Sequence, residues 1–194
     1  MSEATWSEAP MVGDHLAMDL LNTEAREDGR TIDHWRDGGD VLAWLARHGI
    51  ALPAADVDRD ALLAQARSLR ALARRLVVRR KDDGSAGDLG DLNEWLHAHV
   101  SAPHLERDGA GNWTLARIAR GTTSAALLGP LAEAVAQLLV EVRFDLVKQC
   151  EHPECILWFY DRTKAHKRRW CSMAVCGNRH KAAQFRKRGG AGTA

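Results

Sequence analysis

Apolar side chains recur at steps of three and four residues through the longest patterned stretch of the chain, residues 58–81. This spacing places them along one face of a helix, and the opposite face carries arginines. The apolar positions are Leu62, Ala66, Leu69, Ala73, Leu76 and Val77, and the arginines are Arg67, Arg70, Arg74, Arg75, Arg79 and Arg80. We interpret the basic face as solvated or ion-paired within its own domain, with an acidic ligand or DNA as the alternative partner.

Shorter segments with the same period predict four further helices in the first 143 residues. Residues that can cap a helix stand before each of them, and these are Asp14, Asp40, Asp88 or Asp91, and Thr122 or Thr123. Residues 26–39 are mostly polar and contain three glycines, so this segment is predicted to be a loop.

A second kind of pattern interrupts the helices in the middle of the chain. Residues 104–107 and 112–118 flank the glycine-containing turn 108–111, which is the pattern of a β-hairpin. In such a hairpin Trp113 and Leu115 share one face, because side chains two apart on a strand point the same way.

All four cysteines lie in the last fifth of the chain, as two C-x4-C pairs, Cys150 with Cys155 and Cys171 with Cys176. Zinc prefers four tetrahedral ligands and binds thiolates well, and each short loop can present two sulfurs to one ion. The spacing therefore predicts one structural zinc bound by these four side chains. Two disulfides or four free thiols are the alternatives. The nearby histidines that could replace one sulfur are His152, His166 and His180.

Four thiolates leave zinc no open position for a water molecule, which argues against zinc catalysis. No serine, histidine and aspartate arrangement is evident either, so we predict no catalytic residues and no enzyme activity.

Length and composition are those of a globular protein, with 194 residues of which 45% are hydrophobic. The first residues do not resemble a signal peptide, and no apolar run approaches the ~20 residues of a membrane span. We therefore expect a cytoplasmic protein with no membrane contact. Thiols stay reduced in that compartment, which favours metal binding over disulfides.

The net charge of +1 conceals a strong asymmetry along the chain. Residues 161–194 hold ten lysines and arginines and one acidic residue, a net charge of +9, whereas the first 160 residues hold 17 basic and 25 acidic side chains, a net charge of −8. A basic segment of this kind is typical of contact with a polyanion. The predicted nucleic-acid-binding residues are Arg162, Lys164, Lys167, Arg168, Arg169, Arg179, Lys181, Arg186, Lys187 and Arg188.

Residues 168–179 read Arg-Arg-Trp-Cys-Ser-Met-Ala-Val-Cys-Gly-Asn-Arg, and they follow a C-x4-C pair and then Phe159, Asp161 and Thr163. Together these positions resemble the signature of the CGNR zinc-finger family. In that family an ABATE domain precedes the finger, and residues 16–23, Leu-Ala-Met-Asp-Leu-Leu-Asn-Thr, resemble the opening motif of that domain.

The resemblance implies a helical ABATE-like domain over residues 1–143 and a CGNR-type zinc finger with a basic C-terminal helix over residues 144–194. The predicted fold class is accordingly mainly α with one β-hairpin in the N-terminal domain, plus a small C-terminal zinc-binding module.

Three polar residues interrupt the ABATE-like motif, which is otherwise an apolar helix, and these are Asp19, Asn22 and Thr23. Polar groups set into an apolar surface are the usual make-up of a small-molecule site, so we expect these residues to bind an effector. The alternative is that Asn22 and Thr23 end the helix by bonding to its backbone.

Proteins of the resembled family are regarded as stress-linked bacterial transcription regulators. We therefore expect a regulator whose N-terminal domain senses an unidentified small molecule and whose zinc finger binds DNA. The alternative function is a protein- or RNA-interaction adaptor in which the zinc module is a structural platform. A homodimer is compatible with either function.

Overall fold

A computed structural model describes residues 6–27, 29–52, 56–119, 121, 123–141 and 143–190, without the side chains of 117–119 and 187–190. The helices are α1 (Leu16–Leu21), α2 (Gly38–Arg47), α3 (Arg59–Asp83), α4 (Gly90–Ala98), α5 (Ser124–Val140) and α6 (Asn178–Gly190). The strands are β1 (Glu24–Glu27), β2 (Arg30–Asp33), β3 (Ser101–Arg107), β4 (Trp113–Ala119), β5 (Val147–Gln149) and β6 (Trp158–Tyr160). A 3₁₀ turn covers Phe144–Leu146, and a π-helical turn covers Met173–Gly177 and leads into α6.

The mainly helical fold class is confirmed, and so is the predicted hairpin, which is formed by β3 and β4. Two further two-stranded antiparallel sheets, β1–β2 and β5–β6, occur among the described residues. The loop predicted over residues 26–39 is therefore wrong in its first part, where β2 pairs with β1. Only Ala25 and Ile32 are apolar in these two strands, so the sequence carries no alternating pattern there.

Side-chain caps start α1, α2, α3 and α5, whereas Leu89 at the cap position of α4 makes no side-chain bond. The prediction that Asp40 caps the second helix is wrong, because Asp37 occupies the cap position and accepts from the Asp40 N–H at 3.0 Å. The Asp58 side chain accepts hydrogen bonds from the backbone N–H groups of Asp60 and Ala61, and α3 begins at the next residue, as its apolar period predicts. The prediction that Asp14 caps the first helix is wrong, because His15 occupies the cap position and its Nδ1 accepts from the Ala17 N–H at 3.1 Å.

By its contacts the chain divides into two compact units, which we call the terminal unit (Met1–His34 with Val142–Ala194) and the central unit (Trp35–Glu141). These two units are defined by which residues pack together. The predicted domains, residues 1–143 and 144–194, are defined instead by resemblance to families, and that division stays a prediction.

The core of the central unit is built on α5, whose apolar residues cover most of its circumference. This helix packs against α3 and α4, and α3 packs in turn against α2. Leu128, Leu131 and Leu138 are fully buried, which explains why the pattern of α5 lacks a polar face.

The basic face of α3 is largely occupied by the central unit itself. Arg67 donates to the backbone carbonyl of Trp35 at 2.6 Å. Arg75 pairs with Asp91 and Arg79 with Asp83. Arg75 and Arg79 are therefore ion-paired as interpreted, whereas the solvated interpretation is wrong for Arg70, which is buried with its guanidinium over the Trp35 ring.

In the terminal unit, Asn22 at the end of α1 joins residues that are far apart in sequence. Its side-chain amide donates to the carbonyl of Trp158, and the Trp158 N–H donates to its amide oxygen, both at 2.8 Å. The Asn22 amide thus bonds to Trp158 as the backbone of a neighbouring strand would. It satisfies both the N–H and the C=O of this buried residue of β6.

Replacing Asn22 by alanine leaves the buried N–H and C=O of Trp158 without partners, and each such group costs about 1–3 kcal/mol. We expect N22A to lower the free energy of unfolding by about 3 kcal/mol in urea denaturation, without any added ligand. Asn93→Ala on the exposed side of α4 is the control and should change stability by less than about 0.5 kcal/mol. Equal stabilities for the two variants would contradict a structural role for Asn22.

Candidate metal centre and basic surface

The four cysteines meet in the terminal unit. Cys150 follows β5, Cys155 ends the turn after it, Cys171 precedes the π-helical turn and Cys176 lies in that turn. Their Sγ atoms all lie within 4.8 Å of one another, with 3.8 Å between Cys155 and Cys171 and 3.5 Å between Cys171 and Cys176. A tetrahedral ion with zinc–sulfur bonds of about 2.3 Å requires sulfur–sulfur distances of roughly 3.8 Å. The four thiols are free rather than bridged, so the donor set fits zinc.

Backbone hydrogen bonds give the first cysteine loop its shape. The N–H of Cys150 donates to the carbonyl of Leu157, and the N–H of Cys155 donates to that of His152, both at 2.9 Å. The Glu151 N–H donates to the Arg169 carbonyl at 3.0 Å, which ties this loop to the chain just before the second pair. Both pairs are therefore positioned by backbone contacts.

The histidines considered as alternative ligands have other contacts. His152 accepts from the Glu154 N–H through Nδ1, His166 lies 3.2 Å from the carbonyl of Asp161, and the His180 ring lies 4.8 Å from that of Trp170. Among the described residues, the group that could hold a metal consists of the four cysteines alone.

Crowding of the sulfurs shifts thiol pKa values in opposite directions. Hydrogen bonds from Cys155, Cys171 and Cys176 hold the pKa of Cys150 well below its ordinary value. Contact with Cys150 and Cys155 raises the pKa values of Cys171 and Cys176 well above theirs. Four thiolates therefore coexist here only with a cation, and binding of zinc releases protons.

A small apolar core surrounds the sulfurs. Its buried members besides the cysteines are Ala25, Leu157, Phe159 and Val175, and its partly buried members are Trp6, Val12, Cys155 and Trp170. Trp158 is also buried. The aromatic residues near the cysteines thus serve the packing of the unit, and β1 contributes to the same core.

Asp161 is a fully buried carboxylate directly after β6. Lys148 Nζ donates to it at 2.7 Å, the Thr163 hydroxyl at 2.6 Å and N–H at 3.1 Å, and the Arg168 N–H at 2.9 Å. Burial acts to raise the pKa of Asp161, but these hydrogen bonds outweigh it and hold the pKa well below its usual range. The carboxylate therefore fixes the loop that leads to the second cysteine pair.

Arg168 distributes its guanidinium over four internal acceptors. These are the carbonyls of Trp170 at 2.9 Å, Val12 at 2.8 Å and Cys171 at 2.5 Å, and the carboxylate of Asp14. The guanidinium carbon also lies 4.2 Å from the centre of the Phe159 ring. With four of its five N–H donors engaged, Arg168 holds the N-terminal segment against the zinc site.

Residues 14–142 match the profile of the ABATE family, whose description is "putative stress-induced transcription regulator". The chain belongs to the ABATE family. Residues 147–189 match the CGNR zinc finger, and all four cysteines lie within that span. The site is that of one structural zinc ion, and neither family is an enzyme family. No curated protein matches this ABATE chain significantly.

The structure separates the ten predicted nucleic-acid-binding residues of this ABATE protein by environment. Four have exposed side chains with no hydrogen bond or ion pair in the described part of the chain, and these are Lys164, Lys167, Lys181 and Arg186. Three have internal contacts: Arg162 lies over Tyr160, Arg168 is part of the fold, and Arg169 donates to Glu151 at 2.6 Å. Arg179 is half-buried, and Lys187 and Arg188 lie on α6 with side chains outside the described residues.

The three predicted effector-binding residues are buried and bonded to the protein. Asp19 accepts from the Gly13 N–H at 2.8 Å, Thr23 donates to the Leu20 carbonyl at 2.8 Å, and Asn22 bonds to Trp158. For Thr23 this is the backbone bonding considered as the alternative. A role for these residues in binding an effector stays a prediction.

Lys148 and Asp161 were not recognised as a pair from the sequence. One signal was available, because Asp161 is the only acidic residue among ten cations in the last 34 residues. An isolated carboxylate in a basic segment is expected to be neutralised by its neighbours.

None of the described helices is long and apolar enough to span a membrane.

Cys171→Ser should abolish zinc retention and unfold the terminal unit, since a structural zinc contributes about 10–16 kcal/mol of apparent folding free energy in finger peptides. Metal content by mass spectrometry and near-UV circular dichroism measure the two effects. The neighbouring Ser172→Ala is the control and should keep one zinc. Full retention of metal by C171S would contradict the assignment.

Asp161→Asn should lower the free energy of unfolding by about 3 kcal/mol, because Lys148 loses its charged partner. The folded pKa of Asp161 lies below its unfolded value of about 3.9, so the difference between wild type and D161N is fully present above that value. It should stay constant from about pH 8 to about pH 5 and shrink as the pH falls below about 4 toward the folded pKa. Denaturant titrations at several pH values measure this difference.

Asp145→Asn is the control for this experiment, because the ion pair of Asp145 with Arg143 is exposed and should be worth less than about 1 kcal/mol. A D161N effect no larger than that of D145N would mean that the buried network does not stabilise the fold.

Proposed function

We propose that this protein is a transcription regulator whose zinc-bearing terminal unit binds duplex DNA, chiefly through phosphates. The observation that carries the proposal is the charge distribution, +9 in residues 161–194 against −8 in the first 160. A segment of this charge attracts nucleic acid over a distance of about a Debye length and gains free energy when phosphates release their counterions. The family description supports the regulatory part.

The exposed cations are the groups available for phosphate contact. Lys181 and Arg186 lie on α6, and Lys164 and Lys167 lie in the loop before the second cysteine pair. No acidic residue occurs in α6, so its lysine and arginine side chains have no competing carboxylate on their own helix. Arg168 is left out of this proposed surface because its guanidinium holds the fold together.

Phe185 gives α6 a feature beyond charge. Its side chain is 80% exposed, and it lies four residues after Lys181, on the same face of the helix. An α-helix fits the major groove, where an apolar side chain can contact the methyl group of thymine. We propose that α6 enters the groove with this face, with lysine and arginine side chains on the flanking phosphates.

Effector sensing is a separate part of the proposal. A regulator needs a second state, and the family description as a stress-induced regulator supports a signal of some kind. A ligand at Asp19, Asn22 and Thr23 would have to displace their internal hydrogen bonds.

Zinc thiolates require a reducing compartment, which supports a cytoplasmic location.

Replacing Lys181 and Arg186 together by alanine should weaken binding to all duplexes alike, because phosphate contacts carry no sequence information. Each lost phosphate contact should reduce the slope of log K against log salt by about 0.9, so the slope of the double variant should be shallower by about 2. Fluorescence anisotropy with a labelled duplex at several salt concentrations measures both quantities.

The matched control is the double variant R75A/R79A, which removes two cations that are ion-paired in the central unit. Its affinity and salt slope should equal those of the wild type. If the wild-type affinity does not change with salt, or if K181A/R186A binds as the wild type does, the adaptor function is favoured instead.

A further inference from the structure

A cavity of about 540 Å³ lies in the terminal unit, next to the second cysteine pair. Its walls include Lys167, Arg169, Trp170, Ser172 and Met173. The volume falls within the range of about 300–1,000 Å³ that is usual for small-molecule sites. The cavity is distinct from the effector site expected from the sequence.

Three side chains on the cavity wall can donate hydrogen bonds to an anion. Lys167 is exposed and has no ion pair within the described residues. Arg169 donates to Glu151 through Nε, which leaves its Nη groups without a hydrogen bond in the described structure. The Ser172 hydroxyl makes no capping bond, although it precedes the π-helical turn. An ammonium, a guanidinium and a hydroxyl together suit the several oxygens of a phosphate.

The remaining ionic groups of the wall neutralise each other. Asp14 lines the cavity, and its carboxylate is bonded to Arg168, which lines it too. This pair adds no net charge, and the charge of Arg169 is offset by Glu151. Among the described residues, the uncompensated positive charge at the cavity is that of Lys167. A negatively charged ligand is therefore favoured.

Trp170 and Met173 give the same cavity an apolar, polarisable wall. Gly177 leaves room for these two side chains, because it has no side chain of its own. A Cβ atom at Gly177 would lie 2.5 Å from Met173 Sδ and 3.3 Å from Trp170 Cδ1. The missing side chain thus lets both residues lie against the start of the helix. The Trp170 ring already lies against the Arg169 guanidinium, whose carbon is 4.9 Å from the ring centre, and against the His180 ring at 4.8 Å. A flat aromatic partner such as a nucleobase therefore meets the exposed Met173 thioether and the indole beside these contacts.

We infer that this cavity binds a nucleotide, with its phosphate at Lys167, Arg169 and Ser172 and its base against Trp170 and Met173. Both a free mononucleotide and the terminal nucleotide of a nucleic-acid strand offer this chemistry. The inference goes beyond duplex binding by α6, because it concerns a ligand of one nucleotide and shares only Lys167 with the cations proposed to contact duplex phosphates.

Isothermal titration of the zinc-loaded full chain with AMP tests the site. AMP should bind at least about tenfold more tightly than adenosine, since a charged hydrogen bond contributes about 1.5–3 kcal/mol. Lys167→Ala should weaken AMP binding by about tenfold or more for the same reason. Lys164→Ala is the matched control, an exposed lysine of the same loop that does not line the cavity, and should bind AMP as the wild type does.

A second variant tests the apolar wall. Met173 is 53% exposed, so Met173→Ala should leave the fold intact. It should weaken AMP binding while leaving the binding of inorganic phosphate unchanged. Single-stranded oligonucleotides with and without a 5′-phosphate complete the set and distinguish the two sources of the ligand.

Tight AMP binding that K167A weakens supports a free nucleotide as the ligand. Binding of the 5′-phosphorylated strand alone, again weakened by K167A, supports a strand end. Adenosine binding equal to that of AMP, equal effects of K167A and K164A, or no binding of any phosphate ligand would overturn the inference. K181A/R186A keeps every residue of the cavity, so loss of duplex binding and loss of nucleotide binding remain distinguishable.

Discussion

Mutual repulsion of four thiolates is the constraint on which the terminal unit depends. Sulfur atoms held within 4.8 Å of one another do not ionise together unless a cation lies among them. The strands beside them are three residues long, and α6 has no apolar face of its own. Elements this short do not supply enough buried apolar surface to be stable alone. The bound ion therefore provides what a larger hydrophobic core provides elsewhere.

Zinc with four thiolates carries two net negative charges, and two internal ion pairs, Lys148 with Asp161 and Arg168 with Asp14, hold the chain around it. Asp161 receives one hydrogen bond from Lys148, two residues before the first cysteine, and another from the backbone of Arg168, three residues before the second pair. One carboxylate thus fixes the approach to both ligand pairs, and the Arg168 guanidinium, paired with Asp14, donates to the carbonyl of Cys171. Part of the basic composition of this segment therefore serves the metal site rather than a partner.

Features decided by nearby residues could be predicted from the sequence. The apolar period fixed α3, the glycine turn between alternating residues fixed β3–β4, and the two C-x4-C pairs indicated the zinc ligands. Features decided by distant residues could not. Nothing near Asn22 in sequence indicates that its partner is Trp158, and nothing near Arg168 indicates that it bonds to Val12. Asn22 and Arg168 were assigned to ligand and DNA binding because local patterns show polarity and charge but not the acceptor.

The hydrogen bonds between Asn22 and Trp158 join residues 136 positions apart. On a ribosome that adds about 5–20 residues per second, α1 waits roughly 7–27 s for the strand that completes its surroundings. The central unit lies wholly between these two segments and can fold during that interval. The buried face of α1 is exposed meanwhile, and the terminal unit closes only after its last cysteines have been synthesised and have acquired their metal.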